Sequence, residues 1–274
     1  MGKHVYYEHF DNIYKFMDTI EKRPNNNKFG TSSQDNDLDK WSGTRTYTEA
    51  VEGFSNGLPE TAERLKESLG QFKARSNITT NKVRPNNHYY GYSPNVAAAI
   101  IGLPKSMRRI ERKPQKTKTI GILWNSCQNA GVKADTLRKA GETVLQLVYA
   151  LEVQGYRVKL DCAAFTGDCD DNREAVLVIN LKEYGQHMDI LKLSFPVTSP
   201  AMFRRFGFKW AEGIQDFEGE RVWGYGHHLG KNRLAEFLKA QGYDTKSMYQ
   251  IDVNDCKESD FNPLEVAKAL GIVI

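Results

Sequence analysis

The sequence predicts an α/β fold, a three-layer sheet domain over residues 116–274, with a helical and loop-rich N-terminal extension over residues 1–115. Three observations carry that expectation. Thr119 to Trp124 is a short apolar run that ends in a polar turn, Asn125-Ser126-Cys127-Gln128-Asn129-Ala130-Gly131. From Lys133 to Gln154, the residues Leu137, Ala140, Val144, Leu147, Val148 and Leu151 recur at intervals of three and four, which is one buried helix face. Gly155 stops that helix, and Tyr156 to Phe165 reads as a second strand. Strand, helix and strand in that order are the unit of an α/β sheet.

The remaining elements follow from spacing and punctuation. Tyr6, Phe10, Ile13, Phe16, Met17 and Ile20 suggest a short amphipathic helix over residues 5–20, and the Asn/Ser/Asp-rich stretch 23–40 is a linker. Thr46 and Glu49 have capping-box spacing before one helix, Asn56-Gly57 ends it, and Pro59 opens the next, so residues 46–72 form a helical hairpin. Ser93-Pro94-Asn95 starts a short apolar helix from Val96 to Ile101, closed by Gly102 and Pro104. Ala175 to Leu181 is a third strand, antiparallel to the second because the connection is too short for a crossover. Segments 189–194 and 203–210 are apolar and of undecided type. Arg221 to Tyr225 reads as a strand, Lys231 to Gln241 as a helix and Met248 to Val253 as a last strand. Asn262-Pro263-Leu264-Glu265 opens a final helix.

Composition narrows the class. Hydrophobic residues at 40% and aromatics at 11% support a real core, so full disorder is excluded. The net charge of +4, from 38 basic and 34 acidic residues, is weaker than a dedicated nucleic-acid binder usually carries. Cys127, Cys162, Cys169 and Cys256 show no Cys-x-x-Cys spacing, which argues against a structural zinc site. Without a secretory leader or an apolar run of membrane length, free thiols in a cytoplasmic setting are expected.

Four places hold candidate chemistry. The 125–131 turn sits where α/β sheets bind ligands, and Cys127 near a helix N-terminus is the best candidate nucleophile. Gly224-Tyr225-Gly226-His227-His228-Leu229-Gly230 puts adjacent histidines on a glycine-rich turn. On a strand, neighbouring histidines point to opposite faces, which argues against one shared site. Lys105, Arg108, Arg109, Arg112 and Lys113 belong to a basic run over 105–118 that is suited to phosphates, with Tyr89, Tyr90 and Tyr92 upstream rather than interleaved. Phe203 to Trp210 mixes aromatics and cations. Arg204, Arg205, Phe206 and Trp210 are therefore expected at a protein contact, or on a core strand with basic outer positions.

The string Thr119 to Asn129 resembles the opening of a von Willebrand factor A-like domain, a Rossmann-type fold, and residues 119–181 follow that domain's order of elements. The resemblance implies a site in which Asn125, Cys127 and Asn129 take metal-motif positions, completed by Thr198 and Asp252 or Asp255. An amide and a thiol are poor magnesium ligands, so Mg2+ is disfavoured. The whole chain also resembles an uncharacterised family encoded by phages and prophages. Trp41-Ser42-Gly43-Thr44 with Glu49-Ala50, Gly102-Leu103-Pro104, Asn129-Ala130-Gly131-Val132, Leu151-Glu152 and Gly155-Tyr156-Arg157-Val158 carry that likeness. The expected function is a phage-associated, non-enzymatic role in protein contacts or self-assembly. The alternatives are nucleic-acid binding through 105–118 and a metal- or thiol-dependent enzyme around Cys127 and His227 or His228.

Overall fold

The computed structural model describes residues 4–23, 39–75, 86–109, 118–167, 173–214 and 230–272. The chain opens with strand β1 (His4–Phe10) and helix α1 (Ile13–Lys22). Helices α2 (Asp39–Ser42), α3 (Tyr47–Asn56) and α4 (Pro59–Arg75) follow. Strands β2 (Asn86–His88) and β3 (Ser93–Pro94), helix α5 (Val96–Ile100) and strand β4 (Met107–Arg109) make a small separate unit. Then come β5 (Thr119–Asn125), α6 (Ala134–Val153), β6 (Arg157–Gly167) and β7 (Arg173–Lys182). Helix α7 (Ile190–Thr198) leads through a π-helical stretch, Met202–Gly207, into α8 (Phe208–Glu212). Helix α9 (Lys231–Ala240), strand β8 (Met248–Ile251), and helices α10 (Val253–Glu258) and α11 (Pro263–Ala269) close the described chain.

Five strands form one mixed, mostly parallel sheet in the order β1-β7-β6-β5-β8. β5 pairs parallel with β6 and β8, β7 pairs antiparallel with β6, and β1 pairs parallel with β7. The strand–helix–strand unit and the antiparallel third strand stand as the spacing predicts. The helix predicted over residues 5–20 is corrected: its first half is β1, from His4 opposite Arg173 to Phe10 opposite Ile179. Period-two alternation explains the difference. Phe10 meets Phe16 of α1 and Tyr6 meets Trp210 of α8, whereas Tyr7 meets Phe237 of α9 and His9 meets Tyr243. The N-terminal segment therefore supplies a sheet strand and core helices.

Glu8 anchors this strand. Its carboxylate accepts from Arg23 Nη2 at 2.6 and 2.8 Å and from Trp210 Nε1 at 2.7 Å, joining β1 to the end of α1 and to α8. On the α3–α4 hairpin, Thr46 caps Glu49 N at 3.0 Å, and the Glu49 carboxylate reaches back to Arg45 N at 2.6 Å. The two apolar segments of undecided type are both helical. They bury Leu193, Phe195 and Val197 from α7, then Met202, Phe203, Phe206, Phe208 and Trp210.

Helices α6 and α7 approach closely because Gly141 has no side chain. A Cβ there would lie 2.3 Å from Val197 O and 2.7 Å from Thr198 Cα, both backbone atoms. Gly141→Ala is predicted to lower unfolding free energy in urea titration by about 1–3 kcal/mol, an overpacking penalty. Gly131→Ala, with open space around it, is the matched control and should stay within about 0.5 kcal/mol. Equal effects of the two substitutions would contradict the close packing.

Candidate functional site

Strand β5 lies between two parallel neighbours, so the turn after Asn125 opens at the carboxyl edge of the sheet, where α/β folds hold ligands. Here that turn is tied down by its own atoms. Asn125 Oδ1 accepts from Cys127 N at 3.2 Å, Ser126 Oγ donates to Ala163 O at 3.3 Å, and Cys127 Sγ donates to Phe165 O at 3.0 Å. Arg204 closes it from outside. Its guanidinium donates to Trp41 O, to Val132 O at 2.8 Å and to Asn129 O at 3.4 Å. It also lies over the Trp41 ring at 4.7 Å, while Trp41 Nε1 donates to Ala130 O at 3.1 Å.

These contacts correct the expectation for Phe203 to Trp210. The segment is helical, so consecutive side chains diverge around an axis rather than alternate between two faces. Arg204, Arg205, Phe206 and Trp210 are all buried, and they bind other parts of this chain. Arg205 Nη2 donates to Thr44 O at 3.0 Å and Arg45 O at 2.8 Å. Burial pushes the Arg204 guanidinium down to about 10.

The metal-motif positions are also occupied by local bonding. Thr198 Oγ1 donates to Ser194 O at 2.7 Å within α7. Asp252 Oδ1 caps α10, accepting from Asn254 N at 2.8 Å and Asp255 N at 3.0 Å. Asp255 Oδ2 returns the cap to Asp252 N at 2.8 Å, and its other oxygen pairs with Lys231. No group of three or more His, Cys, Asp or Glu side chains among the described residues is arranged to hold a metal ion. His227, His228, Arg112, Lys113 and the strand expected over residues 221–225 lie outside the described residues, as does Cys169.

A polar cluster that the sequence does not single out surrounds Asp161 on β6. This fully buried carboxylate accepts from Tyr243 Oη, from Asn180 Nδ2 at 2.7 Å, and from Lys159 Nζ at 3.4 Å. Burial raises its pKa, and burial together with Asp161 pushes Tyr7 up to about 12. Both carboxylate oxygens are taken by protein donors, so the cluster knits β6, β7 and the α9–β8 loop together. Its one sequence signal is an acid in the middle of an apolar strand.

Among the described residues, the most accessible chemistry lies in residues 86–109. Strand β4 pairs with both β2 and β3, which folds the basic residues back onto the tyrosines. The basic run is thus interleaved with aromatics in space, although not in sequence. Arg109 lies 4.5 Å over the Tyr90 ring and donates to its hydroxyl, and Lys105 lies 5.4 Å over Tyr89. Gly91 permits the fold, because a Cβ there would sit 2.0 Å from Arg108 O. Of the ten large hydrophobic side chains exposed among the described residues, seven belong to this unit: Tyr89, Tyr90, Tyr92, Val96, Ile100, Ile101 and Leu103. Such a concentration of apolar surface in water is unusual for a monomeric chain.

A family model described as a domain of unknown function, DUF7192, matches residues 2–273. The chain belongs to the DUF7192 family. No curated protein and no solved structure matches it. The match spans the N-terminal strand, the sheet and the 86–109 unit alike. No helix among the described residues is long and apolar enough to cross a membrane.

The thiols give a test of this arrangement. Burial pushes Cys127, Cys162 and Cys256 up from 9.0 to about 12. A thiol that stays protonated when folded but ionises when unfolded supports the fold fully below pH 9.0, and that support is lost as pH rises towards 12. Each such group adds a slope of about 1.4 kcal/mol per pH unit in that window. Cys127→Ala should make the alkaline decline of unfolding free energy shallower by about that amount. An unchanged slope would mean that the thiol already ionises in the folded chain.

Proposed function

We propose that this DUF7192 chain is a non-enzymatic binding protein whose α/β body is a scaffold and whose 86–109 unit contacts nucleic acid. The observation that carries the reading is the stacking of Arg109 on exposed Tyr90, with Lys105 over Tyr89 beside it. Charge supports it. Residues 86–109 contain Lys105, Arg108 and Arg109 and no acid. Residues 73–118 contain 11 basic residues and one acid, so the rest of the chain holds 27 basic and 33 acidic residues. The small net charge of +4 therefore conceals a strongly basic segment on an acidic body.

A von Willebrand factor A-like body fits this reading. The run β7-β6-β5-β8, with β7 antiparallel, keeps the element order that the sequence resemblance implies, but β7 is not the edge strand of that resemblance, because β1 pairs along its outer side. The phage or prophage setting belongs to the same proposal and rests on the whole-chain resemblance. A second reading, protein contact or self-assembly, is favoured by the exposed aliphatic group Val96, Ile100, Ile101 and Leu103.

Binding of a labelled mixed-sequence oligonucleotide is expected to weaken linearly in log Kd against log salt. Replacing Lys105, Arg108 and Arg109 together by alanine should reduce that slope by about two, at roughly 0.7 for each phosphate no longer neutralised. Salt-independent binding, or no binding at low salt, would overturn the reading. In the second reading, light scattering gives a mass above one chain that Ile100→Ser with Ile101→Ser returns to one.

A further inference from the structure

We infer that the nucleic acid taken by this unit is single-stranded, with unpaired bases stacking on Tyr89, Tyr90 and Tyr92. The inference rests on the proposed nucleic-acid reading and adds which form is bound and by which atoms. Three tyrosines within four positions are 64%, 61% and 64% exposed. Exposed rings are costly to keep in water, and a folded unit of this size would bury them if packing were their role. Bases offer flat apolar faces to such rings only when unpaired, because a duplex hides those faces in its own stack.

The platform is held rather than loose. His88 meets the Tyr90 ring edge-on at 4.5 Å, and Arg109 covers Tyr90 and binds its hydroxyl. The Arg109 guanidinium plane is itself a stacking surface, and Arg108 and Lys105 supply charge for the intervening phosphates. Behind the platform, Tyr92 N donates to Arg108 O at 3.0 Å and Asn95 N to Ser106 O at 2.7 Å, so aromatic and basic residues are parts of one hydrogen-bonded unit.

The helix of this unit is poorly suited to a duplex groove. The unit's helix, Val96-Ala97-Ala98-Ala99-Ile100, carries no polar or cationic side chain with which to read a groove edge. It is also only five residues long. An anionic surface without bases would use the cations and leave the rings idle.

The test uses the full chain and four probes: oligothymidylate, a duplex of equal length, polyglutamate, and vesicles containing anionic lipid. Oligothymidylate is expected to bind at least about tenfold more tightly than the duplex, with polyglutamate and vesicles weaker still. Tyr89→Leu with Tyr92→Leu should weaken oligothymidylate binding about tenfold or more while leaving the salt slope unchanged, because the stacking surface is removed and the phosphates are still neutralised. Tyr89→Phe with Tyr92→Phe should retain binding, which separates stacking from a folding defect. Equal affinity for single strand and duplex, unaffected by the leucine substitutions, would overturn the single-strand inference and leave the nucleic-acid reading standing. Tightest binding to polyglutamate or vesicles, or no binding to either nucleic acid, would overturn both.

Discussion

A guanidinium buried to 2% exposure must be solvated by the protein itself, and Arg204 is solvated by the backbone of the loops it joins. No carboxylate pairs with it among the described residues; the carbonyls of Trp41, Asn129 and Val132 take its hydrogens, and the Trp41 ring takes one face. Separating any of these partners would strand a buried charge, which is why the turn after β5, the α2 segment and the π-helical stretch hold one arrangement. The wide winding of Met202–Gly207 belongs to the same constraint. It sends Arg204 and Arg205 to neighbouring loops while Phe203 and Phe206 stay in the core. A turn held this way suits a scaffold better than a reactive centre.

The body and the 86–109 unit are built on opposite principles. In the body, charge is internalised and matched: Glu8 with Arg23 and Trp210, Lys182 with Glu152 at 2.6 Å, and Asp161 with Tyr243 and Asn180. Buried thiols and capped carboxylates extend the pattern. In residues 86–109, cations and rings remain at the surface, and seven large apolar side chains stay in water. On the proposed reading, that contrast assigns binding to the small unit and stability to the large one.

The sequence made the centre of the fold legible because its signals there are local. The three-and-four spacing of α6, the short β6–β7 connection and the Asn262-Pro263 start of α11 each need only neighbouring residues to be read. Features that rest on distant pairing were hidden. β1 mixes a two-residue period with the apolar spacing of α1, and its partner β7 lies about 170 residues away. The run from Phe203 to Trp210 looks like a surface because nothing local shows that Trp41 and Thr44 supply carbonyls for its arginines. Likewise, Tyr90 and Arg109 are 19 positions apart in sequence and become neighbours only when β4 pairs with β2 and β3. Of the candidate sites, the basic residues were therefore visible, while their aromatic partners were visible only as a cluster with no assigned role.

Hydrogen–deuterium exchange of the full chain, with and without saturating oligothymidylate, tests the division of labour most directly. The account predicts slowed exchange confined to peptides covering residues 86–109 and their flanks, with peptides covering 125–132 slow and unchanged in both states. Protection at the 125–132 turn with none at 86–109 would place the working site at the sheet edge and contradict it.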